Sequence, residues 1–221
     1  MDFEAARIKM VDNQIRPTDV TSHTVLSAFL SVPREDFVPE RMKLLAYIDS
    51  DIEVAAPSSQ TPGGRYLMEP SPLAKLLQLA TISKSDTVLE IGCSTGYASA
   101  VLSLLAASVV ALESDEALAA TAKETLARYD NVTVVTGELE KGCAERGPFD
   151  VIFIHGSVET LPPALFNQLN DGGRLVVVHG FGNASRAKLF IHENGKTSER
   201  LAFNTAVKPL PGFKQIRDFV F

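Results

Sequence analysis

Residues Thr87–Ala100, TVLEIGCSTGYASA, constrain this chain more than any other stretch. Three strand formers, Val88, Leu89 and Ile91, run into a turn at Gly92-Cys93-Ser94-Thr95-Gly96. Beyond it Ala98, Val101, Leu102 and Leu105 recur at i, i+3, i+4 and i+7, the spacing of one helix face. A strand that ends in a glycine turn and enters a helix presents unpaired backbone N–H groups at the helix start. In an open α/β sheet that point lies at the carboxyl edge, where ligands bind. The stretch predicts a ligand pocket that the remaining chain completes.

From Thr87 onward strand and helix alternate. Strand Thr87–Ile91 precedes helix Tyr97–Leu105, strand Val109–Leu112, a helix over Glu116–Tyr129 capped by Asp115, and strand Val132–Val135. Strand Asp150–His155 follows, then a helix near Pro162–Leu169, and an Asp171-Gly172-Gly173 turn feeding strand Arg174–His179. These strands are near-continuous apolar runs, as a parallel sheet buried on both faces requires. After Gly182 the rhythm changes. Ala187–His192 and Leu201–Val207 read as strands around an Asn194-Gly195 hairpin signal, and the chain ends on the apolar run Phe219–Phe221. The expected fold is α/β and Rossmann-like, mostly parallel, with antiparallel strands at its C-terminal side.

Residues 1–50 carry no strand pattern. Phe3–Ile15 reads as a first helix, and Thr21 or Ser22 caps a second with Val25, Leu26, Phe29 and Leu30 on one face, closed by Pro33. Pro39 suits the first turn of a short third helix. Ser50–Pro70, with Pro57, Ser58, Ser59, Pro62, Gly63 and Gly64, reads as an irregular loop, and loops this long inside a domain are usually functional. Ser71-Pro72 then opens a helix that faces inward with Leu73, Leu76, Leu77 and Ala80. The expected organisation is a cap and substrate loop over 1–70 and a ligand-binding α/β domain over 71–221, together one compact unit.

Charge and composition remove several classes. Twenty-one basic against twenty-seven acidic residues give a net charge of −6, which argues against a nucleic-acid partner. Apolar runs such as Val151–Ile154 and Leu175–Val178 are strand-length, far short of a bilayer span, so no membrane partner is expected. The charged, amphipathic start MDFEAARIKM is not a secretory signal, which makes the cytoplasm the expected location. Cys93 and Cys143 have no metal-type spacing, and His155 and His179 lack a third ligand, so no metal is expected. Cys93, near a helix start, is a candidate reactive thiol, although buried packing is the ordinary role.

Glu113 lies about twenty residues past the turn, at a strand end, where a carboxylate accepts hydrogen bonds from a ribose diol. The turn is not the dinucleotide fingerprint: Gly92, Ser94 and Gly96 occupy its first, third and fifth places, so G-x-G-x-x-G fails at its second and third glycines. Pyrophosphate needs very close backbone approach, whereas a nucleoside joined to an amino acid does not. The pattern therefore favours S-adenosyl-L-methionine over NAD and disfavours an NAD-dependent oxidoreductase.

VLEIGCSTGYASAVLS resembles the first motif of class I S-adenosylmethionine-dependent methyltransferases, and in particular that of the protein-L-isoaspartate O-methyltransferase family. The N-terminal MVDNQIRP, VLSAF and VPREDFVPE are similar to the same family, and Asn131-Val132, Gly137, Pro148-Phe149-Asp150, Gly172-Gly173-Arg174-Leu175-Val176 and Pro209-Leu210 follow in matching order. The resemblance implies a seven-stranded sheet with a helical cap and methyl transfer to the α-carboxylate of an isoaspartyl residue, the start of protein repair. The partner is then a peptide or protein bearing a carboxylate. The cofactor set it implies is Glu90, Gly92, Cys93, Ser94, Gly96, Glu113, Ser114 and Glu138. Gly92 to Gly96 would face the methionyl part, Glu113 the ribose, and Glu138 the adenine amino group.

Two departures stand out. The family's middle glycine is Ser94 here. The family's compact Gln-Thr-Ile-Ser-Gln-Pro segment, whose hydroxyl is implicated in catalysis, is remodelled. Anchored on Gln60-Thr61 the chain carries extra residues, and anchored on Glu69-Pro70 the serine position holds Met68. Thr61 is the candidate replacement hydroxyl. Arg65, by its guanidinium fork, and Tyr66 and His155 are candidates to bind the acceptor. A carboxylate is ionised at neutral pH and needs no base, so positioning alone sustains transfer. A non-catalytic cofactor-binding homologue, or a methyltransferase with another acceptor, is the alternative.

Overall fold

The computed structural model describes residues 1–58, 61 and 63–214. Helix α1 (Phe3–Met10) starts on Asp2, whose carboxylate accepts from the Ala5 N–H at 3.0 Å. At Met10 the helix widens into a π-type turn over Val11–Ile15 and then tightens over Arg16–Thr18, so the expected Phe3–Ile15 helix changes pitch midway. Helix α2 (His23–Ser31) is capped by the Ser22 hydroxyl and buries Val25, Leu26 and Phe29, while Leu30 stays partly exposed. Short turns follow over Arg34–Phe37 and Glu40–Leu45.

The Ser50–Pro70 segment is not wholly irregular. It holds a hairpin of β1 (Ile52–Ala55) and β2 (Arg65–Leu67), with Ile52 opposite Leu67 and both fully buried. Strands of four and three residues are too short for alternation to be legible in sequence. Ser59, Gln60 and Pro62, including the Gln60 anchor used above, lie outside the described residues. Pro70 and Pro72 then sit in the first turn of α3 (Pro70–Ala80), where a missing N–H costs nothing. Its Leu73, Leu76 and Leu77 are each fully buried and contribute about 1.5–3 kcal/mol apiece.

The remaining elements are β3 (Thr87–Ile91), α4 (Tyr97–Ser103), β4 (Ser108–Glu113), α5 (Glu116–Thr125), β5 (Val132–Thr136), β6 (Phe149–Val158), α6 (Pro163–Phe166), β7 (Leu169–His179), β8 (Arg186–Glu193) and β9 (Lys196–Asn204). The seven-stranded sheet has the order β5-β4-β3-β6-β7-β8-β9, parallel through β7 and antiparallel over β8 and β9. Asp115 caps α5 as expected, accepting from Ala117 and Leu118. Three expected boundaries move. The Pro162–Leu169 helix is a single turn because Leu169 pairs with Phe149 and joins β7. Helix α5 stops at Thr125. The strand placed at Leu201–Val207 runs from Lys196 to Asn204, because the two-residue Asn194-Gly195 turn (φ 52° and 69°) pairs Glu193 with Lys196 at once. Phe219–Phe221 lie outside the described residues.

Alternation along the buried strands feeds two hydrophobic clusters. Val88, Val151 and Val176 pack with Met10, Phe29, Leu73 and Leu77, tying the N-terminal helices to one face of the sheet. Leu89, Ile152 and Leu175 pack on the other face with Phe190 and Leu210. Among the described residues no helix is long and apolar enough to cross a membrane.

The topology reverses at β3, with β4 on one side and β6 on the other. Ile91 pairs with both Leu112 and Ile154, so the next residues of the three strands, Gly92, Glu113 and His155, stand at one level of the carboxyl edge. The turn there contains one strained position: Ser94 has φ +57° and is buried, and its hydroxyl meets no hydrogen-bond partner among the described residues. A left-handed conformation costs a non-glycine residue roughly 1–2 kcal/mol. Ser94→Gly is therefore expected to raise stability by about 1 kcal/mol. A higher urea midpoint at unchanged m-value is the predicted reading, and a lower midpoint would refute the strain.

Candidate active site

The site is built around the Glu113 carboxylate. The turn after β3 bends so that the Gly92 and Cys93 N–H groups both reach the Leu112 carbonyl, at 2.8 and 3.1 Å. The next N–H, of Ser94, donates to Glu113 Oε2 at 2.7 Å. From the other side the Ser114 and Asp115 N–H groups, at the entry to α5, donate to Oε1 at 2.9 and 3.1 Å. Arg65, at the start of β2, completes the shell: Nη2 donates to Oε2 at 2.7 Å and Nη1 to Oε1. Arg65 is 2% and Glu113 0% exposed, so Arg65 is a buried, paired cation and not a solvated loop charge.

Beside this carboxylate opens a cleft of about 530 Å³, lined by Ser114, Glu138 and Leu139 together with Thr61, Pro211 and Gly212. Glu138 accepts from Lys141 Nζ at 2.6 Å. Thr61 is buried, and its hydroxyl and N–H both pair with the Ser58 hydroxyl. A far smaller cavity, about 10 Å³, is bordered by Asp51, Arg65, Tyr66, His155, Lys208 and Leu210. It holds one water at most. Thr61 is not among its lining residues, whereas Tyr66 and His155 are.

Leu210 lines the smaller space and packs against the turn after β3. A Cβ built on Gly92 (φ +85°) would lie 2.8 Å from Leu210 Cδ2, and one on Gly156 would lie 2.6 Å from Leu210 Cγ. Both positions need glycine for this side chain to seat. Backbone bonds hold Leu210 in place, its N–H on the Ser157 carbonyl at 2.9 Å and the Ser157 N–H on the Lys208 carbonyl at 3.0 Å. Lys208 Nζ lies 4.9 Å from the centre of the Tyr66 ring. Sequence reading assigned no role to Lys208 or Leu210. They lie over fifty residues from β6, and no local pattern marks that contact.

Glu90 is fully buried beneath the turn, with one oxygen accepting from Ser99 Oγ at 2.5 Å and the other 3.0 Å from His155 Nδ1. The contact fixes the orientation of the His155 ring by its Nδ1 edge. Nε2 meets no partner among the described residues. His179 pairs with Val158, three positions past His155, and no cluster of metal-ligating side chains occurs among the described residues. Met68, at the place of the expected hydroxyl, is buried, and its carbonyl accepts from Arg34 at 2.8 Å.

The Cys93 thiol is buried, and desolvation, reinforced by the charges of Glu90 and Glu113, holds its pKa well above that of a free thiol. Cys143 is pushed up to about 11, by burial and by its hydrogen bond to Glu145. A raised thiol pKa means a neutral, unreactive sulfur at neutral pH. Iodoacetamide at pH 7.5 should leave both thiols of the folded protein unmodified by mass spectrometry and alkylate both in denaturant. Rapid native labelling of Cys93 would overturn the assignment.

With this geometry in place, comparison with known proteins is informative. The sequence profile of the protein-L-isoaspartate(D-aspartate) O-methyltransferases matches residues 5–211. A protein-L-isoaspartate O-methyltransferase of Koribacter versatilis is 39% identical over 180 residues, which are 80% of this chain and 78% of that protein. A solved protein-L-isoaspartate O-methyltransferase superposes with a TM-score of 0.82 at 28% identity, over 93% of this chain and 66% of that one. A Plasmodium falciparum protein of the same description, solved with S-adenosyl-L-homocysteine, shares the fold at 18% identity and a TM-score of 0.78, over 95% of this chain and 98% of that one. The match spans the helical N-terminus as well as the glycine turn, and the chain belongs to the protein-L-isoaspartate(D-aspartate) O-methyltransferase family.

Proposed function

We infer that this chain is an S-adenosyl-L-methionine-dependent protein carboxyl methyltransferase whose donor lies along the carboxyl edge of β3 and β4. The observation that carries the reading is Glu113, a buried carboxylate held by backbone N–H groups from both flanking turns and followed in the chain by Ser114, which lines the 530 Å³ cleft. The proposed contacts of the adenosine half are Glu113 for the ribose diol, in exchange for one of its present donors, and Ser114, Glu138 and Leu139, which line the cleft, around the base. The methionyl half would meet the turn at Gly92–Gly96, where Leu210 and Arg65 now pack. The donor supplies an electrophilic methyl group on a sulfonium.

The chain's own task is to bring a carboxylate oxygen into line with that methyl. The acceptor carboxylate is ionised at neutral pH and carries its own nucleophilic lone pair. Alignment by fixed side chains lowers the barrier by several kcal/mol without a general base. Arg65, Tyr66 and His155 border the space nearest the turn and are the proposed acceptor contacts. Glu90 orients His155 by Nδ1 and leaves Nε2 to pair with a polar group of the damaged peptide. Arg65 supplies the planar fork that matches a carboxylate. Thr61, bonded to Ser58 on the adenosine side, is proposed as a loop-shaping residue.

A labelled-methyl assay that offers isoaspartyl and normal aspartyl peptides side by side tests the reading. Label is expected on the isoaspartyl peptide only, and on neither if the acceptor assignment is wrong. Calorimetric titration with S-adenosyl-L-homocysteine should show binding, weakened by about tenfold to a hundredfold in Glu113→Ala, the value of charge-assisted hydrogen bonds to the ribose. Unchanged affinity in that variant would remove Glu113 from the site.

A further inference from the structure

Glu113 is saturated. Two carboxylate oxygens offer about four lone-pair sites. Oε1 already accepts from Arg65 Nη1 and the Ser114 and Asp115 N–H groups, and Oε2 from Arg65 Nη2 and the Ser94 N–H. A ribose diol cannot be added to this set; it must replace a donor. The three N–H groups are fixed by the turn after β3 and the first turn of α5, so they cannot leave without dismantling both. Two donors are side chains: the Ser114 hydroxyl, a long contact at 3.4 Å from Oε1, and Arg65, which carries the charge and sits on a three-residue strand whose pairing with β1 shifts register between Glu53 and Ala55.

An arginine driven off Glu113 cannot remain buried without a partner, because an unpaired buried cation is heavily penalised. It has a second place to go. Arg65 borders the cavity shared with Asp51, Tyr66, His155 and Lys208, and is not among the residues that line the adenosine cleft. Its Nη2 lies 3.5 Å from where a Cβ of Gly92 would stand, against the turn after β3. The cavity as it stands is too small for a carboxylate, so the fork meets one there only once Arg65 has moved off Glu113.

We propose that Arg65 is an exchangeable carboxylate clamp: it closes on Glu113 in the cofactor-free chain, yields Glu113 to the ribose diol, and takes the acceptor's carboxylate in its place. The inference rests on the reading of Glu113 as the ribose site. Its consequence is that donor and acceptor binding favour one another, since each removes a competitor of the other. The coupling is reciprocal by linkage. The clamp makes the remodelled loop a device that couples the two sites, and it selects acceptors with a free, planar carboxylate.

Calorimetric titration of S-adenosyl-L-homocysteine into the parent chain, Arg65→Met and Arg65→Lys, with folding checked by circular dichroism, tests this. Met keeps the apolar stem and removes the fork; Lys keeps the charge and serves if Met fails to fold. Either variant is expected to bind the ligand about tenfold tighter than the parent, which is about 1.4 kcal/mol. Saturating isoaspartyl peptide should tighten binding severalfold in the parent, have no effect in Arg65→Met, and lose its effect in the parent when its carboxylate is amidated. Equal or weaker binding by the variants overturns the clamp while leaving the ribose site intact. Binding by neither parent nor variant overturns the cofactor reading and the clamp together.

Discussion

One fully buried carboxylate gathers donors from three separate parts of the chain. Glu113 is reached by the turn after β3, by the entry to α5 and by the hairpin upstream of α3. Such a group is an uneconomical way to stabilise a fold. Desolvating a carboxylate and a guanidinium offsets most of their attraction, and apolar residues of similar volume commonly serve as well or better. Removing one member, however, strands the other in low dielectric. The arrangement holds the hairpin against the sheet only while both charges are matched, which is what a site that changes partners requires.

The position of that carboxylate follows from sheet topology. Reversal of strand order at β3 leaves a crevice between β4 and β6, and parallel register sets Gly92, Glu113 and His155 at its rim. The crevice is then narrowed by segments far away in sequence. Leu210 seats against two glycines, and Arg65 enters from the N-terminal side. Adenosine-sized space stays open while the neighbouring space shrinks to about the size of a water. The two spaces thus differ in how far the chain's own side chains already fill them.

The chemistry expected of the family asks little of a catalytic base. An ionised carboxylate brings its own nucleophile, so loss of a hydroxyl at the Met68 position removes an orienting contact and not a proton acceptor. The buried Glu90–His155 pair suits the same economy, because it fixes one ring nitrogen and leaves the other without a partner among the described residues.

The strand–turn–helix at Thr87–Ala100, the alternation after it, the Asp115 cap and the Asn194-Gly195 hairpin were legible in the sequence, because each rests on local periodicity or on dihedral angles open to few residues. Family membership was legible for the same reason: its motifs are short and in order. What only the tertiary structure decided is where Arg65 and Leu210 go and which groups share Glu113. Short strands β1 and β2 leave no period to read, and an ion pair between residues 65 and 113 has no sequence spacing to betray it. Local conformational preference is written in neighbouring residues, whereas partner choice for a buried charge depends on which distant groups the sheet brings within a few ångströms.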